Sequence, residues 1–556
     1  MGASAWASAL LAILDAVSKG VEPTRPRSLC AWAAAMTAVL ALTLTTGPGL
    51  AGPAPGGSLT YATNREPDML DVNVGSSRYD RWVTASIYDQ LLAIDRSGKI
   101  LPWLAESWEV SPDKRVFTFK LKRGVEFHDG TPFNAAAVKA NFDRIVAPDT
   151  KSTSAIGLLG VYDRTDAIDA TTVRVTFKKP HPGFLANLTD VTLGIQSPAA
   201  MQKFGADYVR NPVGTGPFMF KEWSRRNRIV LVRNPKYNWG PPWAKHQGPA
   251  YLEELVFRII PEDGSRVATL ESGQIDGIGR VPPQNAAVLR IDKRWSVVNS
   301  VLPGTGVILV VNGRKPPTDD IAVRRALEHM MNTDDASRIA YFSQWFPHRG
   351  SVLSSPNPFF ENTSKTFPPN TQKAEQILEE GGWRKGPDGI RTKGGVRAEL
   401  VYIGFPSVET TRTMEWMGSN LRQIGMDLRI RELETGAIHV ARQRGEHNLA
   451  HLTFIFLDPG FLRTLFHSEA SGSGWNFYHQ KDAQIDQLLE QGETEPDNAK
   501  RDQIYRSAQK RLLDQGFIIP IVYQHQISAH KSAVQDLIMF PVLGEYPVFY
   551  DTYVKR

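Results

Sequence analysis

The sequence predicts an α/β protein of more than one lobe, and three observations carry that reading. The chain has 556 residues, 42% of them hydrophobic and 22% charged, an ordinary globular composition with core enough for two or more lobes. Strand-type and helix-type patterns alternate along most of its length. Its one cysteine, Cys30, falls in an N-terminal apolar segment, so apolar core rather than disulfides must hold the fold.

The N-terminus reads as a targeting segment. Arg25 and Arg27 precede residues 29–46, which are apolar and uncharged, and Gly47-Pro48-Gly49 breaks the run. The pattern predicts Sec-type export with cleavage near Ala51. The alternative is an uncleaved anchor, since a run of this length is near the lower limit for spanning. Val21 is an alternative start if its codon is GTG. Cys30 has no apolar stretch ahead of it, which argues against lipidation. The net charge of +6 is mild, and no basic tract is long or interleaved with aromatics, so the pattern is not that of a nucleic-acid binder.

Residues 59–62 open the first strand, and a helix is expected around 76–92. Ser111-Pro112-Asp113-Lys114 is a turn, with Pro fixing φ and Asp able to bond the backbone. Residues 116–121 alternate as a strand. Gly124 and Asp129-Gly130 break the chain, and Asn134 then suits the N-cap of a helix, with Phe133 and Val138 as its hydrophobic staple. Val138, Phe142 and Ile145 share one face. Further strands are expected at 173–177, 252–261, 307–312, 426–433 and 517–523. Helices are expected at 265–272, 321–331, 373–382, 411–424, 486–491 and 501–514. Gly214-Thr215-Gly216-Pro217 lacks the lysine and third glycine of a phosphate loop, so a tight strand connection with close backbone approach is the expectation.

The wording of several of these segments is similar to one family. AESWEVSPDK, a strand and then RGVEFHDGTPFNAAAV resemble the signature of extracytoplasmic solute-binding proteins of family 5, the dipeptide, oligopeptide and nickel binders of ABC importers. Glu66-Pro67-Asp68-Met69-Leu70-Asp71, the run Pro212 to Trp223, Asn234-Pro235-Lys236-Tyr237, and Lys315-Pro316-Pro317 with the helix after it follow in the family's order. Ala137 departs from the pattern. The family has an acid there, and its loss is expected to weaken the helix start by about 1 kcal/mol or less.

The resemblance implies a two-lobed periplasmic-binding-protein-like fold, of type II and the large cluster C form, with an extra subdomain in the first lobe. It implies a signal peptide at 1–51, first-lobe parts at 52–92 and 212–312, the extra subdomain at 93–211, the second lobe at 313–523 and a first-lobe return at 524–556. Hinge strands are expected near 307–312 and 517–523. The implied partners are a small solute, with peptide the leading class, and an ABC permease with its ATPase subunits. The mature protein is expected to be monomeric, soluble and periplasmic, with no cofactor.

No catalytic constellation stands out. A mature chain without cysteine has no thiol chemistry, and neither a G-x-S-x-G elbow nor H-E-x-x-H occurs. His447 and His451 are four apart, but no ligand-type spacing supports a metal there. Binding is better supported, because ligand clefts combine aromatic walls with a few polar anchors. The resemblance places contacts at Phe454, Ile455, Phe456, Asp458, Trp475 and Asn476, at Tyr402 and Phe405 after a strand, and at Asn64, Arg65 and Glu66 from the other lobe. Asp458 reads first as a turn acid and helix cap ahead of Gly460, and Trp475 reads equally as hinge packing. Peptide-binding members often hold the ammonium with an acid where this chain has Ile455. Dipeptide binders place an arginine for the carboxylate near 404–407, and this chain has none. An unpaired buried charge is costly, so zwitterionic dipeptides are disfavoured on this reading. Longer peptides, or weakly charged solutes such as sugars and modified amino acids, fit it. Non-peptide cargo (a sugar, an opine or a nickel chelate) and presentation to a chemoreceptor are the alternatives.

Overall fold

The computed structural model describes residue 53 and residues 55–75, 77–361, 368–472, 474–539 and 546–555. The expected export segment, the start at Val21 and Cys30 lie outside the described residues. Three sheets organise the rest. The largest has seven strands in the order Trp295–Val301, His525–Lys531, Gly277–Gly279, Ser58–Thr63, Glu254–Ile259, Arg228–Arg233 and Phe218–Ser224. Its central strand Ser58–Thr63 runs parallel to both neighbours and buries Leu59, Tyr61 and Ala62.

The signature region forms a four-stranded antiparallel sheet, Ala105–Val110, Val116–Leu121, Thr172–Phe177 and Tyr162–Asp169. Phe117, Phe119, Val173 and Val175 share one buried cluster with Leu59, Tyr61 and Phe257, so this sheet is an appendage built onto the first lobe's core. The helix Ala135–Val146 begins as expected. Asn134 Oδ1 accepts from the Ala137 N–H at 3.0 Å, and Val138, Phe142 and Ile145 are buried. Ala137 is itself buried, and an acid there would bury a charge, which accounts for the incomplete capping box. The expected helix at 76–92 is shorter, Arg78–Thr84. Beyond it the carbonyls of Ser86, Ile87 and Asp89 accept from Phe218, Gly216 and Ile195, so tertiary partners replace helical ones. The same contacts explain Gly214-Thr215-Gly216. A Cβ on Gly214 would lie 2.1 Å from the Ile87 carbonyl oxygen, so the run is a close backbone approach.

The second lobe is built on a five-stranded sheet ordered Asp427–Glu432, Glu399–Gly404, Leu449–Leu452, Val307–Val311 and Ile518–Val522. Val307–Val311 is buried on both faces. Leu309 and Val311 join Leu400, Leu449 and Ile519, while Ile308 and Val310 join Leu452, Leu462 and Ile518. A strand covered on both sides reads as an unbroken apolar run.

This placement corrects the expected boundary at 313. The strand pairs with Leu449–Leu452 and Ile518–Val522, so it belongs to the second lobe and the first crossing lies before it, in residues 302–306. The return crossing runs through Tyr523 and Gln524, between Ile518–Val522 and His525–Lys531. The two crossings lie side by side, with the Leu302 N–H donating to the Gln524 carbonyl at 2.8 Å. Gly304 sits in the first crossing at φ +102, and a Cβ there would lie 1.9 Å from the Phe454 carbonyl oxygen. No other residue fits that corner.

The lobes also touch away from the crossings. Lys114 Nζ of the subdomain donates to Asn498 Oδ1 of the second lobe at 2.9 Å. Gly183 of the subdomain abuts Asp458, whose carboxylate is 2.4 Å from where a Cβ would stand. Gly183 has an ordinary φ of −80°, so space alone demands glycine. Gly183→Ala is therefore expected to force the subdomain and second lobe apart, raising the radius of gyration in small-angle scattering with little change in melting temperature. An unchanged radius would show that this contact does not hold the lobes together.

Candidate functional site

Between the two lobes, beside the return crossing, lies a cleft of about 330 Å³. Asn64, Arg280, Pro282 and Gln526 line it from the first lobe, and Tyr341, Trp345, Phe405, Glu409, His451 and Thr453 from the second. Gln524 and His525 come from the return crossing and the strand that follows it. Volume, position at a lobe interface and a lining that mixes aromatic rings with many polar groups suit a small polar solute.

The second-lobe wall is mainly aromatic, with Glu409 its one charged side chain among the lining residues. His451 lies on the strand Leu449–Leu452, and its Nδ1 is hydrogen-bonded to the Tyr402 hydroxyl behind it. Burial, with the nearby Arg442 guanidinium adding to it, pushes the His451 pKa down to about 3. His525 accepts the Phe346 N–H on Nε2 at 3.0 Å and donates from Nδ1 to Asn299 Oδ1 at 2.6 Å, which fixes its neutral tautomer. Burial brings its pKa to about 3 as well. Arg442 lies over the Phe405 ring, 5.6 Å from the centroid, and donates to the Ile403 carbonyl. Burial lowers Arg442 to about 10, so it stays charged.

Buried polar atoms without a partner mark the first-lobe side. Asn64 Oδ1 and Gln526 Nε2 are both buried, and neither has a hydrogen-bond partner among the described residues. Thr453 Oγ1, by contrast, donates to Gln524 Oε1 at 2.6 Å, across the line between lobe and crossing. A buried polar group left unpaired is costly, so both orphaned atoms are suited to meeting a solute.

Residues 99–473 match the family described as bacterial extracellular solute-binding proteins, family 5, middle. The chain belongs to that family. The glutathione-binding protein GsiB of Escherichia coli O1:K1 is 28% identical over 494 residues, covering 85% of this chain and 90% of the relative. The periplasmic binding protein DppA of Helicobacter pylori, solved with the peptide STSA, superposes with a TM-score of 0.73 at 25% identity, covering 91% of this chain and 99% of that one. NikA of Brucella suis, solved with Fe(III)-EDTA, shares the fold with a TM-score of 0.80 at 24% identity, covering 90% of this chain and all of that one. The two-lobed α/β fold is thus that of family 5, whose members are extracytoplasmic. No helix among the described residues is long and apolar enough to cross a membrane.

Family wording located the site's neighbourhood better than its walls. Asn64 and Phe405 line the cleft. Tyr402 lies behind the wall and positions His451. Phe454, Ile455 and Phe456 follow the wall residue Thr453 but lie off it. Phe454 packs on Trp475 and Phe461, with centroids 4.9 and 5.5 Å apart, and Phe456 packs on Phe461. Trp475, half-exposed, is therefore part of that packing.

The other expected residues lie off this cleft. Asp458 is held by Arg501 through two bonds of 2.7 and 2.8 Å and accepts the Gly460 N–H. Burial raises its pKa, but Arg501 outweighs burial and keeps the carboxyl below its ordinary value. Asn476 is buried, donating to the Phe466 and His467 carbonyls and accepting from the His479 N–H. Glu66 accepts from Trp223 Nε1 and the Arg226 N–H, fastening the neighbouring hairpin. Arg65 is exposed beside Asp68 and Tyr79. His447 donates from Nε2 to the Phe477 carbonyl at 2.8 Å and lies before the strand that carries His451, so the two share no helical face.

Buried titrating groups set the pH response. Burial depresses His128 and His348 to about 4, and His447, like His451 and His525, to about 3. Burial also raises Asp80 to about 6, Asp89 to about 7 and Glu328 to about 9. Below pH 6.5 the unfolded histidines take protons that the native ones refuse, so stability falls as pH drops from 6.5 toward 4. The raised carboxyls act oppositely, losing stability as pH rises toward 9. Burial also lowers His181, His479 and His530, and the depressed histidines outnumber the raised carboxyls in the lower window. The melting temperature is therefore expected to climb from pH 4 to about 6.5 and then decline toward 9, as scanning calorimetry would record. A level profile below 6.5 would contradict the burial of these imidazoles.

Proposed function

We propose that this chain is the periplasmic solute-binding component of an ABC importer, and that it takes a compact peptide or peptide-like solute in the cleft between its lobes. The observation that carries the reading is that both lobes wall the cleft and the return crossing lines it through Gln524, which is bonded to Leu302 of the first crossing. Rotation about the crossings opens or closes such a cleft, and a solute that contacts both walls favours the closed form. The closed outline is what a membrane permease and its ATPase subunits would recognise. The export segment would be cleaved near Ala51, releasing the protein to the periplasm.

Peptide chemistry is supported by the relatives, one named for glutathione and one solved with a tetrapeptide. A cleft of about 330 Å³ is at the low end for small-molecule sites, which favours a compact solute over a long peptide. No bond of the solute is broken on this reading, so the protein is a carrier and not an enzyme.

Native mass spectrometry of the protein purified from residue 52 onward, followed by calorimetry with glutathione and a panel of di- and tripeptides, tests the proposal. One molecule bound per chain, with its mass unchanged after prolonged incubation, is expected. Products that accumulate in proportion to protein would replace the carrier by a hydrolase.

A further inference from the structure

Among the cleft's charged side chains, Arg280 differs from the others. It follows the strand Gly277–Gly279 and precedes Pro282-Pro283. Its backbone is left-handed, with φ 51°, where a side chain with a Cβ costs roughly 1–2 kcal/mol. The fold holds it there from two sides. Buried Arg266 donates from Nη2 to the Arg280 carbonyl at 3.0 Å, and the Val281 N–H donates to the Ile527 carbonyl at 3.0 Å. A non-glycine residue kept in this region by surrounding bonds is a recognised mark of a functional position.

The Arg280 guanidinium lines the cleft and makes no ion pair or hydrogen bond among the described residues. The other charges there are engaged. Asp263 pairs with Arg266, Glu409 accepts from the Ser407 hydroxyl at the start of its helix, and Arg78 has an interaction within the protein. The neighbour of Arg280 supplies a second observation. Gln526 is next to Ile527, whose carbonyl anchors Val281, so Gln526 and Arg280 reach the cleft from adjoining backbone. Gln526 is 3% exposed and its Nε2 has no partner.

We propose that Arg280 and Gln526 Nε2 form the carboxylate anchor of the cleft, so that its solute is a carboxylate-bearing amide compound whose acid end rests on the first lobe. This deepens, and rests on, the carrier reading above. A guanidinium with an amide N–H beside it presents converging donors, which suits a carboxylate. Asn64 Oδ1, an unpartnered acceptor on the same lobe, takes an N–H of the solute. The opposite wall holds Tyr341, Trp345, Phe405 and the neutral His451, and its one carboxylate, Glu409, accepts from the Ser407 hydroxyl. The anchor lies outside the 404–407 loop and supplies the carboxylate partner that the loop lacks.

The test compares glutathione and Ala-Ala-Ala with their C-terminal amides, by calorimetry, on wild type, Arg280→Gln, Arg280→Gly and Gln526→Leu. Wild type is expected to prefer at least one free acid over its amide by about tenfold or more, the worth of a charge-assisted hydrogen bond. Both Arg280 variants are expected to erase that preference, with amide affinity unchanged, and Gln526→Leu to reduce it. Arg280→Gly also relieves the left-handed backbone, so it is expected to melt no lower than wild type while losing the preference. That pairing separates the side chain's role in binding from any role in folding. Tight binding of the acids by Arg280→Gly, or equal affinity of wild type for acids and amides, would overturn the anchor and leave the carrier reading standing. Failure of every peptide and amide to bind wild type would overturn both.

Discussion

The hydrogen bond from Leu302 to the Gln524 carbonyl joins the only two places where the described chain passes between the large sheets. That pairing constrains the rest of the architecture. Each lobe has its own core, the first shared with the signature subdomain and the second lying on both faces of Val307–Val311. Two packed cores joined by two adjacent segments have a narrow range of relative motion. They rotate about the segments and do little else. Thr305 adds to the junction, exchanging bonds with Phe454 in both directions, and Thr453 bonds Gln524. The second-lobe wall is thus tied directly to the axis about which it turns.

The cleft follows from that geometry. It lies where the lobes diverge from the axis, so small rotations change its width most simply there. The first lobe contributes the orphaned polar atoms and the arginine, while the second contributes rings, the neutral His451 and Glu409. A solute held on the polar wall gains the second wall only on closure, and this difference in contacts is what shifts the population. The contact of Gly183 and Lys114 with Asp458 and Asn498 adds a latch at the far side of the interface. Asp458 is suited to that job because Arg501 neutralises it inside the protein.

Much of the fold was legible in the sequence, and for physical reasons. The N-cap at Asn134, the alternation at Val116–Leu121 and the apolar run at Val307–Val311 are local signals, and each formed the expected element. What was not legible depends on contacts distant in sequence. Val307–Val311 carries no mark of which sheet it joins, so the first crossing was placed one element too late. The helix after Ser77 stops because Phe218 and Gly216 capture the next carbonyls, more than a hundred residues away. The site shows the same division. Asn64 and Phe405 follow recognisable wording, whereas Asp458 and Asn476 are consumed by Arg501 and by the Phe466 turn, partners that no local pattern reveals. Arg280 was missed because an arginine after a short strand is unremarkable until its left-handed backbone and its lack of a partner are seen.

Spin labels report the rotation directly. Cys30 precedes the expected cleavage point, so Glu109→Cys on the subdomain and Lys500→Cys on the second lobe give two unique sites in the mature chain. Pulsed electron resonance should find a broad distance distribution after the co-purified solute is dialysed away, and one narrow, shorter distance when that solute is returned. Identical distributions in the two samples would contradict closure about the paired crossings, and with it the account of how this protein holds its cargo.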